Sequence, residues 1–585
     1  MTKTSSSEMN MNVEKAGQGS PEGGDLFRVL SYLEECTNEL EATVDLHDPN
    51  PVFRMALHAI KRHLEGKVMT PTSLIAASNV PYATANRRLR EMIEAGLIDQ
   101  RPRTRSGKRF SMHPSEKLLN QWTQMSRQVR NLAATYFSDQ SSREETHDYY
   151  YGGSYMTGRT IPPIQALSEP LKLAGGMRVL VHGDPTFMVM ENFKRQFEQV
   201  IGTQIHQRAF SIDRLRAEAL RNAERTFSRY DIIALDLPWI GEFAEKDILM
   251  PLDEIMDMTR LDPADFHTAG WKAIHWGGRP YGVPAQTTPE LLLYRRDLLT
   301  AAGLEPPATT GQLLDAAREL HAPRKGLYGM AFNGARGTAL GHTVLMTMAD
   351  FGQPVLDLPV TSRGFDTDTL AARDYCATID TERGLMAAEY LVELLQYAPP
   401  QTLSMSWYER MRAYSEGHVA MAYGYTLLAP YFELNPSSPA HGQTGYLPHP
   451  SGPGMANVAP IGGYAMGIPA NLAPERAAAA VEALRVFTSP EAQKLYVQSG
   501  SRTSPRYSVG ADAEVRRASP IFEAVDAMSW RDELQFWPRP PIPEITGIVQ
   551  ICGEEFHDML RGRISPRAAL SQAQERADTL IANPE

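Results

Sequence analysis

The chain has little cysteine, no long apolar run and no local catalytic signature, and each lack removes a class of function. Three cysteines in 585 residues, Cys36, Cys376 and Cys552, stand far apart. That number and spacing form neither a disulfide framework nor a zinc-ligand set, which suits a reducing compartment. No stretch approaches the roughly 18 uninterrupted apolar residues of a membrane-spanning helix. The opening MTKTSSSEMNMNVEKAGQGSPEGG is polar. Without an apolar segment it does not read as a signal peptide, and residues 1–24 are expected to be a disordered tail. G-x-x-x-x-G-K-[ST], H-E-x-x-H, G-x-S-x-G and Cys-x-x-Cys are all missing. GARGTALG lacks the lysine that would grip a phosphate. In GEEFHD, Glu554, Glu555 and His557 share one helix, but no second carboxylate–histidine pair completes a metal set. No catalytic residue, metal or cofactor is therefore expected, and the chain does not read as an enzyme.

What is present is ordinary in bulk and uneven in detail. Hydrophobic content of 42% and charged content of 22% fit a globular protein. The length allows three or four domain-sized units. The net charge is −11, yet residues 61–110 hold eleven Lys or Arg against four acids. An acidic body with one basic patch is the electrostatic footprint of a local DNA contact.

The patch falls on a helical segment. Leu26, Leu30, Leu33, Leu40 and Val44 recur at helical spacing. Phe53, Leu57, Ile60 and Leu64 form a second stripe. Thr70-Pro71 starts a third helix, with Thr as N-cap and Pro where its missing N–H costs nothing. A fourth helix over about 82–96 ends at Gly96. It turns Ala85, Leu89 and Met92 inward and Thr84, Arg87 and Arg88 outward. A hairpin, DQRPRTRSGKRFSMHP, follows with Ser106-Gly107 near its tip. Over about residues 50–115, and most closely in NVPYATANRRLREMIEAGLI, the sequence resembles MarR-like winged helix-turn-helix regulators. The resemblance implies that Thr84, Arg87 and Arg88 approach the major groove. It implies phosphate or minor-groove contacts for Arg103, Arg105, Lys108 and Arg109. Leu118, Trp122, Met125, Val129, Leu132 and Tyr136 make a heptad seam, either a helix packed on its own domain or a dimer helix. Residues 25–137 are thus the expected DNA-binding domain with flanking dimer helices, and 138–176 the linker.

From Met177 the pattern becomes an alternation of strands and helices. MRVLVHG and YDIIALDLPW are apolar strands, with a helical Phe187–Val200 between them. This predicts an open α/β sheet with ligand beyond the carboxyl ends of its strands. The residues also resemble the family 1 extracellular solute-binding proteins, the sugar-type receptors of ABC importers. Six phrases in the family's order carry that resemblance, among them YDIIALDLPWIGEFAEKDILMPLDE, YERMRAYSEGHVAMAYG and IGGYAMGIPANLAPERAAAAVEALRVFTSPEAQKLY.

The resemblance implies a two-lobed, periplasmic-binding-protein-like body over 177–585. Crossings should lie near Gln286–Leu292, near Ile461–Met466 and within 505–530. Ligand-contact candidates in matching positions are Asp236, Trp239, Gln286, Thr287, Glu290, Tyr425, Gly463, Tyr464 and Arg506. Aromatic faces would stack on a sugar ring, and polar groups would pair with its hydroxyls. Trp407 and Trp537 read as packing residues. Tyr464 stands where the family often has Trp, which leaves the ligand open.

Together these readings predict a cytoplasmic, ligand-responsive transcriptional regulator, with operator DNA and a sugar-type small molecule as partners and a homodimer as its working form. The alternative is an ABC-transporter substrate-binding protein for carbohydrate import that carries an N-terminal extension. A third reading is a cytosolic sugar-processing enzyme on the same scaffold, for which no catalytic pair is found.

Overall fold

The computed structural model describes residues 49–64, 67–78, 80–102, 110–122, 125, 161, 164–362 and 364–583. The chain divides into two compact units, Met1–Leu167 and Ser168–Glu585, and each is treated by itself.

The first unit holds helices α1 (Pro49–Leu64), α2 (Pro71–Ala77) and α3 (Tyr82–Glu94), then the antiparallel pair β1 (Ile98–Pro102) and β2 (Phe110–Pro114). Helix α2 starts where its cap dictates. The Thr70 hydroxyl accepts from the Ser73 N–H, Ser73 returns a bond to the Thr70 N–H, and Pro71 takes the first position. The core joins Val52, Met55, Ala59 and Ile60 of α1 to Leu74, Ala85, Leu89, Met92, Ile98 and Met112. The buried face of α1 thus differs from the expected stripe. Phe53 and Leu57 are only half-buried and line an apolar groove with Ile60, Leu97, Leu118 and Trp122. Leu118 and Trp122 pack on this unit's own core. The remainder of the expected seam after Met125 lies outside the described residues, as do Arg103, Arg105, Lys108 and Arg109. Thr84 is half-buried. Arg88 is mostly buried and bonds Glu91 at 2.8 Å, whereas Arg87 is exposed and 3.8 Å from the same carboxylate.

The second unit has two lobes. Lobe 1 is built on β3 (Met177–His182), β4 (Ile205–Phe210) and β5 (Ile232–Asp236), with α4 (Pro185–Asn192) following β3. A small hairpin, β6 (His275–Trp276) and β7 (Arg279–Pro280), precedes β8 (Val283–Pro284). Lobe 2 begins at β9 (Thr288–Arg295) and adds β10 (Tyr328–Ala331) and helix α5 (Thr338–Asp350). A second hairpin, β11 (Val360–Thr361) and β12 (Gly364–Phe365), precedes α6 (Trp407–Ser415), β13 (Val419–Tyr425) and β14 (Thr444–Leu447). Then come β15 (Ala459–Gly462), β16 (Tyr464–Gly467), β17 (Leu534–Gln535) and α7 (Ile545–Leu560).

The lobe 1 sheet runs β4-β3-β5-β16-β8. Its first three strands are parallel, and β16 is antiparallel to both neighbours. The lobe 2 sheet runs β10-β13-β9-β15-β17, with β14 also paired to β9. Consecutive strands in the two main sheets mark three crossings: β8 to β9 through Ala285–Thr287, β15 to β16 through Gly463, and β16 to β17 within residues 468–533, the segment that includes 505–530. The last residues of the expected linker pack on lobe 1, since the Leu171 N–H bonds the Ile201 carbonyl at 2.8 Å.

The position of α5 is set by glycine. A Cβ on Gly341 would lie 1.9 Å from the Val549 carbonyl oxygen, and one on Gly553 would lie 1.8 Å from that of Gly337. Only two helices bared at these points can cross so closely, and α5 is buried almost throughout.

Candidate ligand-binding cleft

A cleft opens where the chain leaves the carboxyl ends of the parallel strands, as an open α/β sheet requires. His182 and Gly183 end β3, Phe210 and Ser211 end β4, and Asp236 ends β5. From lobe 2 come Thr288, His342 of α5, Trp407 and Tyr408 at the start of α6, Tyr425 at the end of β13, and Arg539. Gly463 and Tyr464 line the crossing.

Its floor is an ion pair that bridges the lobes. Arg539 donates through Nη1 to Asp236 Oδ2 at 3.2 Å and contacts His342 Nε2 at 2.8 Å. A guanidinium can only donate, so Nε2 accepts and the His342 proton sits on Nδ1, bonded to the Thr338 carbonyl at 2.7 Å. Burial, with the Arg539 charge beside it, pushes the His342 pKa down to about 3. Burial alone would lower the Arg539 pKa, but Asp236, Tyr425 and Glu290 together more than offset it and raise it. Among the described residues that line the cleft, the one carboxylate and the one guanidinium are already paired and offer a ligand no unpaired charge.

Aromatic rings form the walls. Tyr464 stacks on His182 at 4.8 Å and meets Phe187 edge-on at 5.8 Å. Trp407 is edge-on to His342 at 5.5 Å, so the expectation that it is only a packing residue gives way to a place on the wall. Burial raises the pKa of the Tyr425 and Tyr464 phenols, which keeps both hydroxyls protonated. Among the described residues the Tyr425 hydroxyl has no hydrogen-bond partner.

Of the expected ligand contacts, Asp236, Tyr425, Gly463 and Tyr464 line this cleft, and five do not. Trp239 turns back into lobe 1 against Phe243, with ring centres 5.7 Å apart. Gln286 is fully buried, and its amide donates to both Asp184 oxygens at 3.1 Å. Thr287 packs on Gly270, where a Cβ would lie 2.5 Å from its hydroxyl. Glu290 pairs with Arg410 at 2.5 Å inside lobe 2. Arg506 lies 3.9 Å from the Phe266 ring centre and bonds Asp265 at 2.9 Å, with the Leu261 and Thr488 carbonyls also accepting from it. Gln286, Glu290 and Arg506 are buried, where a polar group needs an internal partner, and each has one. Trp537 is buried against Phe365.

His182, His342, Tyr408 and Arg539 also line the cleft, without standing at positions that the sequence pattern marks. Arg539 left one trace: it stands alone in FWPRPPIP, a buried-looking run where arginine is unusual. Among the described residues no group of three or more His, Cys, Asp or Glu is placed to hold a metal. Glu554 and Glu555 pair with Arg576.

Residues 216–494 match the family described as bacterial extracellular solute-binding protein. A maltotriose-binding protein of Pyrococcus abyssi is 29% identical over 133 residues, 22% of this chain; the chain spans only 28% of that relative. A probable ABC transporter-binding protein of Deinococcus radiodurans is 24% identical over 307 residues, 50% of this chain and 67% of the relative. A solved ABC transporter solute-binding protein of Agrobacterium radiobacter K84, in complex with ribitol, superimposes with a TM-score of 0.63 at 24% identity. That match covers 70% of this chain and all of the other. The body therefore has a two-lobed α/β fold of the periplasmic-binding-protein type, within which residues 216–494 match the solute-binding family.

These matches overturn the expectation of a cytoplasmic transcriptional regulator. The family is described as extracellular, and the relatives are solute-binding proteins of ABC transporters rather than DNA-binding proteins or enzymes. The operator-DNA partner falls with it, as do the groove roles given to Thr84, Arg87, Arg88 and the wing residues. The homodimer loses its premise of two half-sites. The basic patch was a sum over a segment, and a sum does not register that Arg88 is already spent on Glu91.

Proposed function

We propose that this protein binds an uncharged sugar or polyol between its lobes and acts as the substrate-binding component of an ABC importer, working outside the cytoplasm. The observation that carries this is the cleft floor, where Asp236 and Arg539 meet from opposite lobes beneath a wall of Tyr425, Tyr464 and Trp407. An already neutralised pair suits hydroxyl groups, which donate and accept at once, better than a charged ligand. The maltotriose-binding relative and the ribitol-bound structure support the ligand class. Asp236, Tyr425, Gly463 and Tyr464 are the proposed contacts from the sequence reading. For the first unit we infer a winged-helix architecture, supported by the order of three helices and an antiparallel hairpin.

Thermal shift of the full chain with maltose, maltotriose, mannitol and ribitol tests the function. A ligand at 100 times its Kd stabilises by about 2.7 kcal/mol, enough to read clearly. Asp236→Asn should cut affinity at least about tenfold, the equivalent of about 1.4 kcal/mol. If no neutral sugar or polyol shifts the melting curve at millimolar concentration, the reading fails.

A further inference from the structure

We propose that Arg539, oriented by His342, is the specificity-determining residue of the cleft and reads a vicinal diol of the ligand together with Asp236 and Tyr425. The inference rests on the cleft being the sugar or polyol site. It concerns a residue beyond the segment matched to the family, which ends at residue 494.

Arg539 is buried at 6% exposure yet lines the cleft, and its donors are only partly used. Nη1 serves Asp236 and His342. Nη2 has a long 3.5 Å contact to the Ile461 carbonyl, and Nε has no partner among the described residues. The Tyr425 hydroxyl, also buried and also lining the cleft, is unpartnered as well. Gly462 lets the two converge: a Cβ there would lie 2.8 Å from Arg539 Nη2 and 3.1 Å from the Tyr425 ring. Asp236 is bonded to Arg539 through Oδ2 alone. A carboxylate, a forked guanidinium and a phenol therefore meet at one point.

That set matches two adjacent hydroxyls. One hydroxyl donates to the carboxylate and accepts from the guanidinium, and its neighbour accepts from the second arm of the fork or from the phenol. Because Asp236 belongs to lobe 1 and Arg539 and Tyr425 to lobe 2, a diol held here also ties the lobes together. His342 is the positioning residue. It accepts from Arg539 at 2.8 Å on one nitrogen, donates to the backbone of α5 on the other, and rides on a helix fixed by Gly341.

The test is calorimetric titration of the full chain with whichever of maltose, mannitol or ribitol binds most tightly, and with the monodeoxy analogues of that compound. Wild type should reject at least one deoxy analogue by about 10–100-fold, because a missing hydroxyl leaves a buried donor unpaired. Arg539→Gln and Arg539→Lys should both narrow that ratio to within about threefold, since lysine keeps the charge but not the fork. His342→Gln should narrow it partway. If the Arg539 variants weaken parent and analogue by one common factor, the residue is structural and the inference is overturned. The same holds if the wild type binds all analogues alike. Should Arg539→Gln fail to fold, as judged by circular dichroism, Arg539→Lys decides. Failure of the wild type to bind any of the three compounds would bring down the cleft reading itself. An undiminished ratio in variants that still bind would bring down only the diol assignment.

Discussion

Removing Arg410 should destabilise the protein far more than removing a ligand contact would. Arg410 is fully buried in lobe 2, and its guanidinium reaches Glu290 Oε1 at 2.5 Å. The second Glu290 oxygen is 3.7 Å from His449 Nε2, and His449 Nδ1 is 3.1 Å from Asp350. Arg410→Met is close in volume but leaves the buried Glu290 charge without its cation. Breaking a buried pair from one side costs about 3–5 kcal/mol, whereas replacing both partners is often near neutral. Against a typical total of about 5–15 kcal/mol, this is a large share. Equilibrium urea unfolding of the full chain, followed by far-UV circular dichroism, gives the loss from the shift in midpoint. Glu290→Gln alone should cost a similar amount. The double variant Glu290→Gln with Arg410→Met should be more stable than either single one. A loss below about 1 kcal/mol for Arg410→Met, or a double variant no better than the worse single, would refute the assignment of Glu290 to the lobe 2 core. If Glu290→Gln abolished ligand binding with the midpoint unmoved, Glu290 would return to the list of contacts.

Two buried titratable groups should set opposing pH slopes. The native pKa of His342 is depressed to about 3 from 6.5, so its contribution is present above the unfolded value and lost as pH falls. The native pKa of Asp350 is raised to about 6 from 3.8, chiefly by burial, so its contribution is present below the unfolded value and lost as pH rises through 6. Between about pH 4 and 6 the two oppose each other, at about 1.4 kcal/mol per pH unit each. His342→Gln should therefore gain stability relative to wild type as the pH is lowered across that window; parallel midpoint-against-pH curves would refute this. Gly463 has φ of +115°, and a Cβ there would lie 2.7 Å from the Gln286 carbonyl oxygen at the crossing. Gly463→Ala should cost about 1–3 kcal/mol in strain, read as a lowered Tm, and an unchanged Tm would count against it.

The body was legible because its signals are local. An apolar strand that ends in a polar residue predicts a strand whose carboxyl end faces the cleft, and Asp236 and Tyr425 stand at such ends. The paired glycines before Tyr464 marked a crossing, and Gly463 sits there with a backbone that favours glycine. In the first unit, Thr70-Pro71 marked the start of α2 for the same reason, since a cap and its helix are neighbours in the chain. The signals that misled were sums and proximities. The charge of residues 61–110 was read as a surface for DNA, although Arg88 is paired three residues away.

Charges at the cleft obey a different rule, which sequence adjacency does not reveal. Glu290 and Arg506 stand beside the crossings and looked like ligand contacts, but folding gave them Arg410 and Asp265, residues 120 and 241 positions distant. Arg539 meets Asp236 across 303 positions and His342 across 197. No periodicity encodes pairings of that span. A buried charge needs its partners wherever it lies, so partners alone do not separate an inner strut from a ligand contact. The separation comes from two facts held together: the group borders the cleft, and some of its donors remain unspent there. Arg410 has unspent donors but no border on the cleft, and Arg506 has neither. Arg539 has both, and so has Tyr425, and the two converge over Gly462 where a ligand hydroxyl can meet them.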